Sequence, residues 1–501
     1  MGEEIRRCLN TSGTPQYWLR PWPHPDIADA KAPMTLHIAN RREPFIDRFL
    51  IDRLSGDAVH RLHHPRREGI ALRFDQPWEG ILALHVTILQ DGDLYRMYYR
   101  GWGVDASRRE NEEGQTMPVT CYAESQDGIH WDKPELGLCE WRGSTANNII
   151  LTGPREVTQR FSPMLDDRPG VPADARFKAI GGSQRTGLHL WTSADGLRWT
   201  EQPGTIIEGE GFDSQNTIHW SPAENRYVCL FRSFKVVDGE RVRWISRTLS
   251  EDLIKWSEGE ELDFGSAPPE HLYTNQAAPY VHAPHILIGT PARFLPGRWA
   301  MSPEQEEAIG LHDGDKYQGL PGALSDTVLI SSRGGTRVDR TFLEAFVRPG
   351  EDNNDWVARS NYPALGILPT SDRELSLYVA RHYGQPTAYL ERLSLRIDGF
   401  ASVSAGYAGG EMVTKPFTFE GQRLKLNMST SAAGSVRVEV QNSEGAAIPG
   451  HDIGSCDDLI GDDVARTVTW SGKGNVASLA GKPMRLRVQL HDADLFSLKF
   501  D

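Results

Sequence analysis

Three short segments of this chain repeat one another: Ser125-Gln-Asp127-Gly128-Ile-His-Trp131, Ser193-Ala-Asp195-Gly196-Leu-Arg-Trp199 and Ser250-Glu-Asp252-Leu253-Ile-Lys-Trp256. Each reads as a tight turn followed by a strand that carries a large aromatic. Asp or Ser caps the backbone of the turn, Gly supplies positive φ, and Trp packs between layers. Degraded copies follow around Ser332-Arg-Gly334-Gly335 and Arg396-Ile-Asp398-Gly399. A supersecondary unit recurring at such intervals cannot bury its apolar face alone, so neighbouring units must pack on one another.

Between the turns lie alternating stretches rich in β-branched and aromatic residues: 81–90, 93–101, 176–182, 226–234 and 374–381. They predict strands. About four strands per unit and five units predict a five-bladed β-propeller, with six blades the alternative because the third interval is long. The one helical stretch is SPEQEEAIGL at 302–311. From about Ala405 the Trp-rich turns cease and alternating strands continue at 423–429, 435–442, 465–472 and 484–500. This texture predicts a small antiparallel β-sandwich. The expected division is an irregular arm over 1–40, a propeller over 41–404 and a β-sandwich over 405–501, an all-β chain throughout.

Charge narrows the function classes. Lys and Arg total 54 against 68 Asp and Glu, a net −14 over 501 residues. General binding to nucleic acid or to an anionic membrane is therefore not expected. No apolar run reaches membrane-spanning length, and the opening segment lacks the apolar core of a secretory signal, so the expected location is cytoplasmic. The cysteines, Cys8, Cys121, Cys139, Cys229 and Cys456, are odd in number and suit no zinc spacing, which leaves buried free thiols.

The Ser-x-Asp-Gly-x-x-Trp turns, with FIDRFLID, DQPWEG, YRMYYRG, GFDSQN, EHLYTN and the closing TKPFTFEG and DADLFSLKF, resemble five-bladed propeller glycoside hydrolases of the invertase, levanase and arabinanase group and bacterial family 32-like proteins. The turn itself is similar to the Asp-boxes of sialidases. The resemblance runs from about residue 44 to the end. It implies a site at the channel mouth with two carboxyl groups flanking the scissile bond. The Asn-Asp-Pro-Asn and Arg-Asp-Pro runs of invertases are absent.

Candidate residues are sought where innermost strands begin. Asp75-Gln-Pro-Trp78-Glu79-Gly80 offers Glu79, at the position the resemblance gives to the first acidic residue, and Trp78 as a sugar platform; the alternative is an acidic turn. Gly211-Phe212-Asp213-Ser214-Gln215-Asn216 offers Asp213 with Gln215 and Asn216, or else an Asx turn. Glu270-His271-Leu-Tyr273-Thr-Asn275 offers Glu270 as general acid, tuned by His271. His282 and His285 are substrate contacts or structural histidines; their spacing in a strand puts the rings on opposite faces, against a metal site. Asp326 opens a later strand, and Arg100, Trp102 and Arg348 complete the set, the arginines as clamps on carboxylate or hydroxyl pairs or as structural ion pairs. If Arg100 and Arg348 face the channel, an anionic sugar is the expected substrate. The repeated Asp127, Asp195 and Asp252 are assigned to folding.

The expected function is a glycoside hydrolase or transglycosylase acting on an oligo- or polysaccharide. The alternatives are a non-catalytic carbohydrate-binding propeller and a lyase or phosphorylase on the same scaffold. No cofactor is expected, and a structural ion in the channel is left open. The sandwich either binds carbohydrate or braces the propeller and builds a homo-oligomer, bracing being preferred.

Overall fold

The computed structural model describes residues 35–102, 118–153, 155–158, 160–310 and 322–501. The chain is all-β. Among these residues the α-helices are the short Arg155–Thr158 and Pro303–Ala308. The second falls on the expected stretch and opens with a capping box in which Ser302 and Gln305 satisfy each other's backbone.

Antiparallel sheets, numbered I to V below, follow one another along the chain, with a separate two-stranded sheet inserted between strands of IV. Sheet I holds Leu84–Asp91, Leu94–Trp102, Pro118–Ser125 and Ile149–Leu151, and sheet II holds Ser162–Leu165, Phe177–Ser183, Gly187–Ser193 and Thr200–Ile207. Sheet III holds Thr217–Ser221, Arg226–Val237, Glu240–Ser250 and Glu260–Glu261. Sheet IV pairs Ala277–Tyr280, Ala283–Gly289 and Ile330–Ser332; the strand pair Ala292–Pro296 and Ala323–Thr327 projects from it. In sheet V, Tyr362–Pro363 and Leu368–Pro369 pair with Glu374–Arg381, which pairs with Tyr389–Arg396.

The repeated turns bind each sheet to the one before it, which explains their recurrence. In each, the Ser hydroxyl accepts the backbone N–H of Gly128, Gly196 or Leu253, at 2.9, 2.9 and 2.8 Å. The Asp carboxylate accepts two further backbone N–H groups. The turns then dock outward. Tyr378 of sheet V donates to the Gly128 carbonyl of sheet I, and Arg96 of sheet I donates to the Asp195 carbonyl of sheet II at 3.0 Å. Arg247 of sheet III reaches the Gly335 carbonyl after sheet IV at 2.5 Å, and Tyr280 of sheet IV reaches Asp398 after sheet V at 2.8 Å. With Tyr227 of sheet III on Asp166 of sheet II at 2.5 Å, the contacts run from I to V and back to I. Adjacent apolar faces are buried between sheets, as in the cluster of Met164, Ile180, Tyr227, Cys229 and Leu253.

The innermost strands converge on an axis closed by two glutamines. Gln215 donates to Thr87 of sheet I at 2.8 Å, and Gln276 donates to Gln215 at 2.8 Å and to the Pro363 carbonyl of sheet V at 2.7 Å. Leu365 and Ile88 join sheets V and I by backbone bonds.

Strand pairing crosses the expected boundaries at 40 and 404. Arg66–Arg73 pairs with Tyr389–Arg396 and completes sheet V with an N-terminal strand. Its pattern is exposed along most of its length, an edge strand without the apolar alternation that makes strands legible. Leu36–Ala39, Glu43–Pro44, Ile51–Gly56 and Val59–Leu62 belong to the ten-stranded sheet whose C-terminal members are Ala401–Ala405, Gly410–Thr414, Phe417–Phe419, Leu424–Asn442, Asp462–Thr467 and Met484–Phe500. That sheet wraps its own core around Phe417, Phe419, Leu426, Val438, Trp470 and Leu486. The fully buried Glu43 joins it to sheet IV, holding Arg333 at 2.7 Å and His285 at 3.0 Å. Residues 1–34 of the expected arm over 1–40 lie outside the described residues, as does Cys8; the four described cysteines are free.

Candidate functional site

One end of the ring carries the loops that lead into the innermost strands, and chemistry concentrates there. Before Thr217–Ser221 the chain turns at Gly211, whose φ is +99°. A Cβ at Gly211 would sit 2.5 Å from the Arg232 carbonyl, so glycine is required. The turn delivers Asp213, whose side chain is half exposed, against the guanidiniums of Arg160 and of Arg232, the latter at 3.5 Å. Both arginines are otherwise buried; Arg232 is oriented by its Nε donating to the Gly211 carbonyl at 2.8 Å. Burial raises the pKa of Asp213, but Arg160 and Arg232 outweigh it and hold the carboxyl below the usual carboxylate range.

Tyr273 lies beside this pair. Arg232 and Arg243 stand over its ring at 5.2 and 5.5 Å, and Ser214 hydrogen-bonds its carbonyl at 2.6 Å. Burial alone would raise its phenol pKa; Arg359, Arg232 and Arg243 more than reverse that and lower it. Arg359 also stands over Tyr383 at 5.9 Å, and Tyr383 accepts from Arg100 at 3.3 Å. His271 Nδ1 accepts the Arg243 backbone N–H at 3.2 Å; burial and the Arg243 charge push its pKa down to about 4, so the ring is neutral.

The other expected residues divide between this end and elsewhere. Arg100 is present here, 4 % exposed, with Nε and Nη2 on the Leu82 carbonyl, and its guanidinium stands 5.2 Å over Trp102. Glu79 lies close in sequence but is sealed in, with no exposed surface. Its oxygens accept from Tyr99 at 2.5 Å, from Lys133 at 2.8 Å and from the Gln76 N–H at 2.9 Å. Burial raises its pKa against the opposing pull of Lys133. Trp78 is tied to Asn148 at 2.7 Å and packs edge-on against Trp141, in the same structural knot.

Glu270 and Asp326 form a separate ionic cluster. Arg293 bridges them, at 2.8 Å to Glu270 and 2.6 Å to Asp326, and Arg340 takes the second Glu270 oxygen at 2.8 Å. Both Glu270 oxygens accept from guanidiniums, an arrangement that suits an anchor better than a proton donor. Gln215 is the axial plug described above. Asn216 braces its own turn through the Phe212 and Ser214 carbonyls at 3.2 and 3.1 Å.

His282 and His285 are not at this end. His285 meets Glu43, and His282 packs on Tyr280 beside Asp398, so both line the junction with the ten-stranded sheet. Arg348 is exposed on a segment after sheet IV. Among the described residues no group of three His, Cys, Asp or Glu is placed to hold a metal ion.

Sequence reading missed Arg160, Arg232, Arg243, Arg359, Tyr273 and Tyr383. Arg232 and Arg243 sit inside strands, where an arginine reads as an outward-facing residue. Tyr273 was inside a segment already noted as dense in polar groups.

No protein-family model matches the chain. Two curated proteins of Mycobacterium tuberculosis, both uncharacterised, are each 29% identical to it over 153 residues. The match covers 29% of this chain and 40% of each relative, so the chain spans less than half the length of the curated proteins it resembles. Among solved structures, a glycoside hydrolase is similar at TM-score 0.45 and 11% identity, covering 66% of this chain and 92% of its own. An N-acetylgalactosamine deacetylase from F. plautii, in complex with blood group B trisaccharide, is similar at 0.41 and 13%, covering 68% and 96%. A family 43 arabinoxylan arabinofuranohydrolase from Bacillus subtilis, in complex with cellotetraose, follows at 0.37 and 9%, covering 84% and 95%.

Proposed function

We propose that the protein is a carbohydrate-active enzyme, a glycoside hydrolase, built as a five-bladed β-propeller braced by a β-sandwich that includes the N-terminal strands. The observation that carries this reading is the grouping of Asp213 and Tyr273 about Arg232: a half-exposed carboxylate paired with Arg160 and Arg232, with the Arg232 guanidinium also standing 5.2 Å over the Tyr273 ring. Glycosidic cleavage needs a proton for the departing oxygen and a base or nucleophile for the anomeric carbon. Asp213 fits the second role, since its anionic form dominates at neutral pH. Tyr273 fits the first, because a lowered pKa makes its O–H a better donor than an ordinary phenol. The proton leaves Tyr273 for the glycosidic oxygen as the bond to the anomeric carbon breaks. Water supplies the oxygen that ends on that carbon, and its proton returns the pair to its starting state. Arg100, hydrogen-bonded to Tyr383 at 3.3 Å, belongs to the same end.

A second reading, a non-catalytic glycan binder, is favoured by the engagement of both Glu79 and Glu270 in ion pairs. A reducing-end release screen over aryl glycosides and polysaccharides separates the two. Release by wild type that Asp213→Asn and Tyr273→Phe abolish, with the fold retained, supports the pair. Release that survives both variants removes them from the chemistry. No release, with glycan binding retained, establishes the binder.

A further inference from the structure

Charge at this end of the ring is unbalanced. Among the described residues Asp213 is the carboxylate that pairs with Arg160 and Arg232, and no carboxylate lies in ion-pair range of Arg100, Arg243 or Arg359. The chain as a whole is acidic, at −14, so this local excess of guanidiniums is not a compositional accident. Burying a charge without a counter-ion is costly, and Arg100 is 4 % exposed with only carbonyl and phenol partners. Arg243 and Arg359 are half-buried and both bear on Tyr273, and neither has a carboxylate partner among the described residues.

We propose that this site takes a sugar bearing an anionic substituent, a carboxylate or a sulfate, seated on Arg243 and Arg359. The proposal rests on the reading of this end as a carbohydrate site. The two arginines are the uncompensated pair, while Arg160 and Arg232 are already engaged by Asp213. The substituent is therefore drawn to the Arg243–Arg359 side and repelled from Asp213, which leaves the rest of the ring to face the carboxylate. Arginine forks match the paired oxygens of either substituent.

The test is calorimetric binding of an oligogalacturonide, a sulfated oligosaccharide and a neutral oligosaccharide of equal length, with inorganic sulfate and phosphate as controls. The expected result is that one of the anionic sugars binds at least about tenfold tighter than the neutral one, as loss of a charged hydrogen bond implies. The advantage shrinks as salt is raised. Arg243→Gln and Arg359→Gln each erase the preference while circular dichroism and melting stay as in wild type. Which anionic sugar wins separates carboxylate from sulfate. Equal affinity for the neutral sugar overturns the proposal, as does inorganic anion binding as tightly as either sugar. Because binding is read apart from turnover, hydrolysis of neutral glycans without anion preference would sink this proposal and leave the hydrolase. Preference without hydrolysis would do the reverse.

Discussion

Replacing Glu79 by glutamine distinguishes a catalytic from a structural carboxylate at one position. A catalytic Glu79 would lose turnover on substitution and keep its stability. The structure predicts the opposite. Glu79 has no exposed surface and accepts three donors: Tyr99, Lys133 and the Gln76 backbone. Tyr99 cannot reverse its hydroxyl, because it already accepts from Asn148 at 2.9 Å. A glutamine has one acceptor oxygen, so its NH2 must face either the phenol or the ammonium, donor against donor. Breaking a buried pair costs about 3–5 kcal/mol. Lys133 keeps Asp75 at 3.0 Å and the Arg73 carbonyl at 2.6 Å, which argues for about 2–3 kcal/mol here. That corresponds to a fall of roughly 2–3 °C in the melting temperature, measured by scanning fluorimetry or calorimetry. Burial raises the folded-state pKa of Glu79, so its protonation stabilises the wild type fully below the unfolded value and not above the folded one. Glutamine does not titrate, and the gap in melting temperature therefore widens as pH falls from neutral towards about 4. An unchanged melting temperature with abolished turnover would refute this reasoning and return Glu79 to the active site.

The remaining predictions concern the site, the turns and the axis. Asp213→Asn should remove turnover with little effect on melting. Because Arg160 and Arg232 lower the pKa of Asp213, the acid limb of kcat/KM attributable to it should fall below the ordinary carboxylate range; a limb near pH 6 would assign it elsewhere. Asp195→Ala removes acceptors for the Leu197 and Arg198 N–H groups; because its carboxylate is partly exposed, a cost of about 1–2 kcal/mol is expected in chemical denaturation, with substrate affinity unchanged. With its folded-state pKa near 2, that contribution is present above about pH 4 and disappears as pH falls through the folded value. Gln215→Ala strips Thr87 and Gln276 of their shared partner and should cost about 2 kcal/mol by the same measurement.

Repetition made the sheets legible. The Ser-Asp-Gly turns could be read because one physical task, capping a turn that docks on the preceding sheet, recurs with the same residues. Even the degraded copies hold: Gly334 still donates to Ser332 at 3.3 Å, and Asp398 still docks on Tyr280. The strands Arg66–Arg73 and Ile51–Gly56 were illegible because their partners lie more than three hundred residues away and their exposed residues leave little periodicity. The site divided along similar lines. Asp213 could be singled out in the sequence because a run of four polar residues before a strand exceeds what a turn needs, and its side chain is half exposed beside Arg160 and Arg232. Glu79 and Glu270 share that local signature, but their partners, Lys133 and Arg340, arrive from distant segments that no local pattern announces. A carboxylate's partner, not its neighbours in sequence, decides whether it is free to act.

That partner rule also explains where a ring of sheets can afford a site. At the far end the charges are cancelled: Glu43 and Asp47 close on Arg333, and Asp398 on Arg42, with a second body packed over them. Along the axis, two glutamines satisfy each other and their neighbours without any charge. The loop end gathers arginines that have no carboxylate partner among the described residues, and they come from different sheets: Arg100 from I, Arg243 from III and Arg359 from the segment leading into V. No single sheet must bury more than its own share of unpaired cation, so the cost in stability is distributed over the ring while the field is summed at one point. On the proposal above, a ligand bearing opposite charge recovers that energy on binding, so the geometry that concentrates cations also discriminates against a neutral ligand.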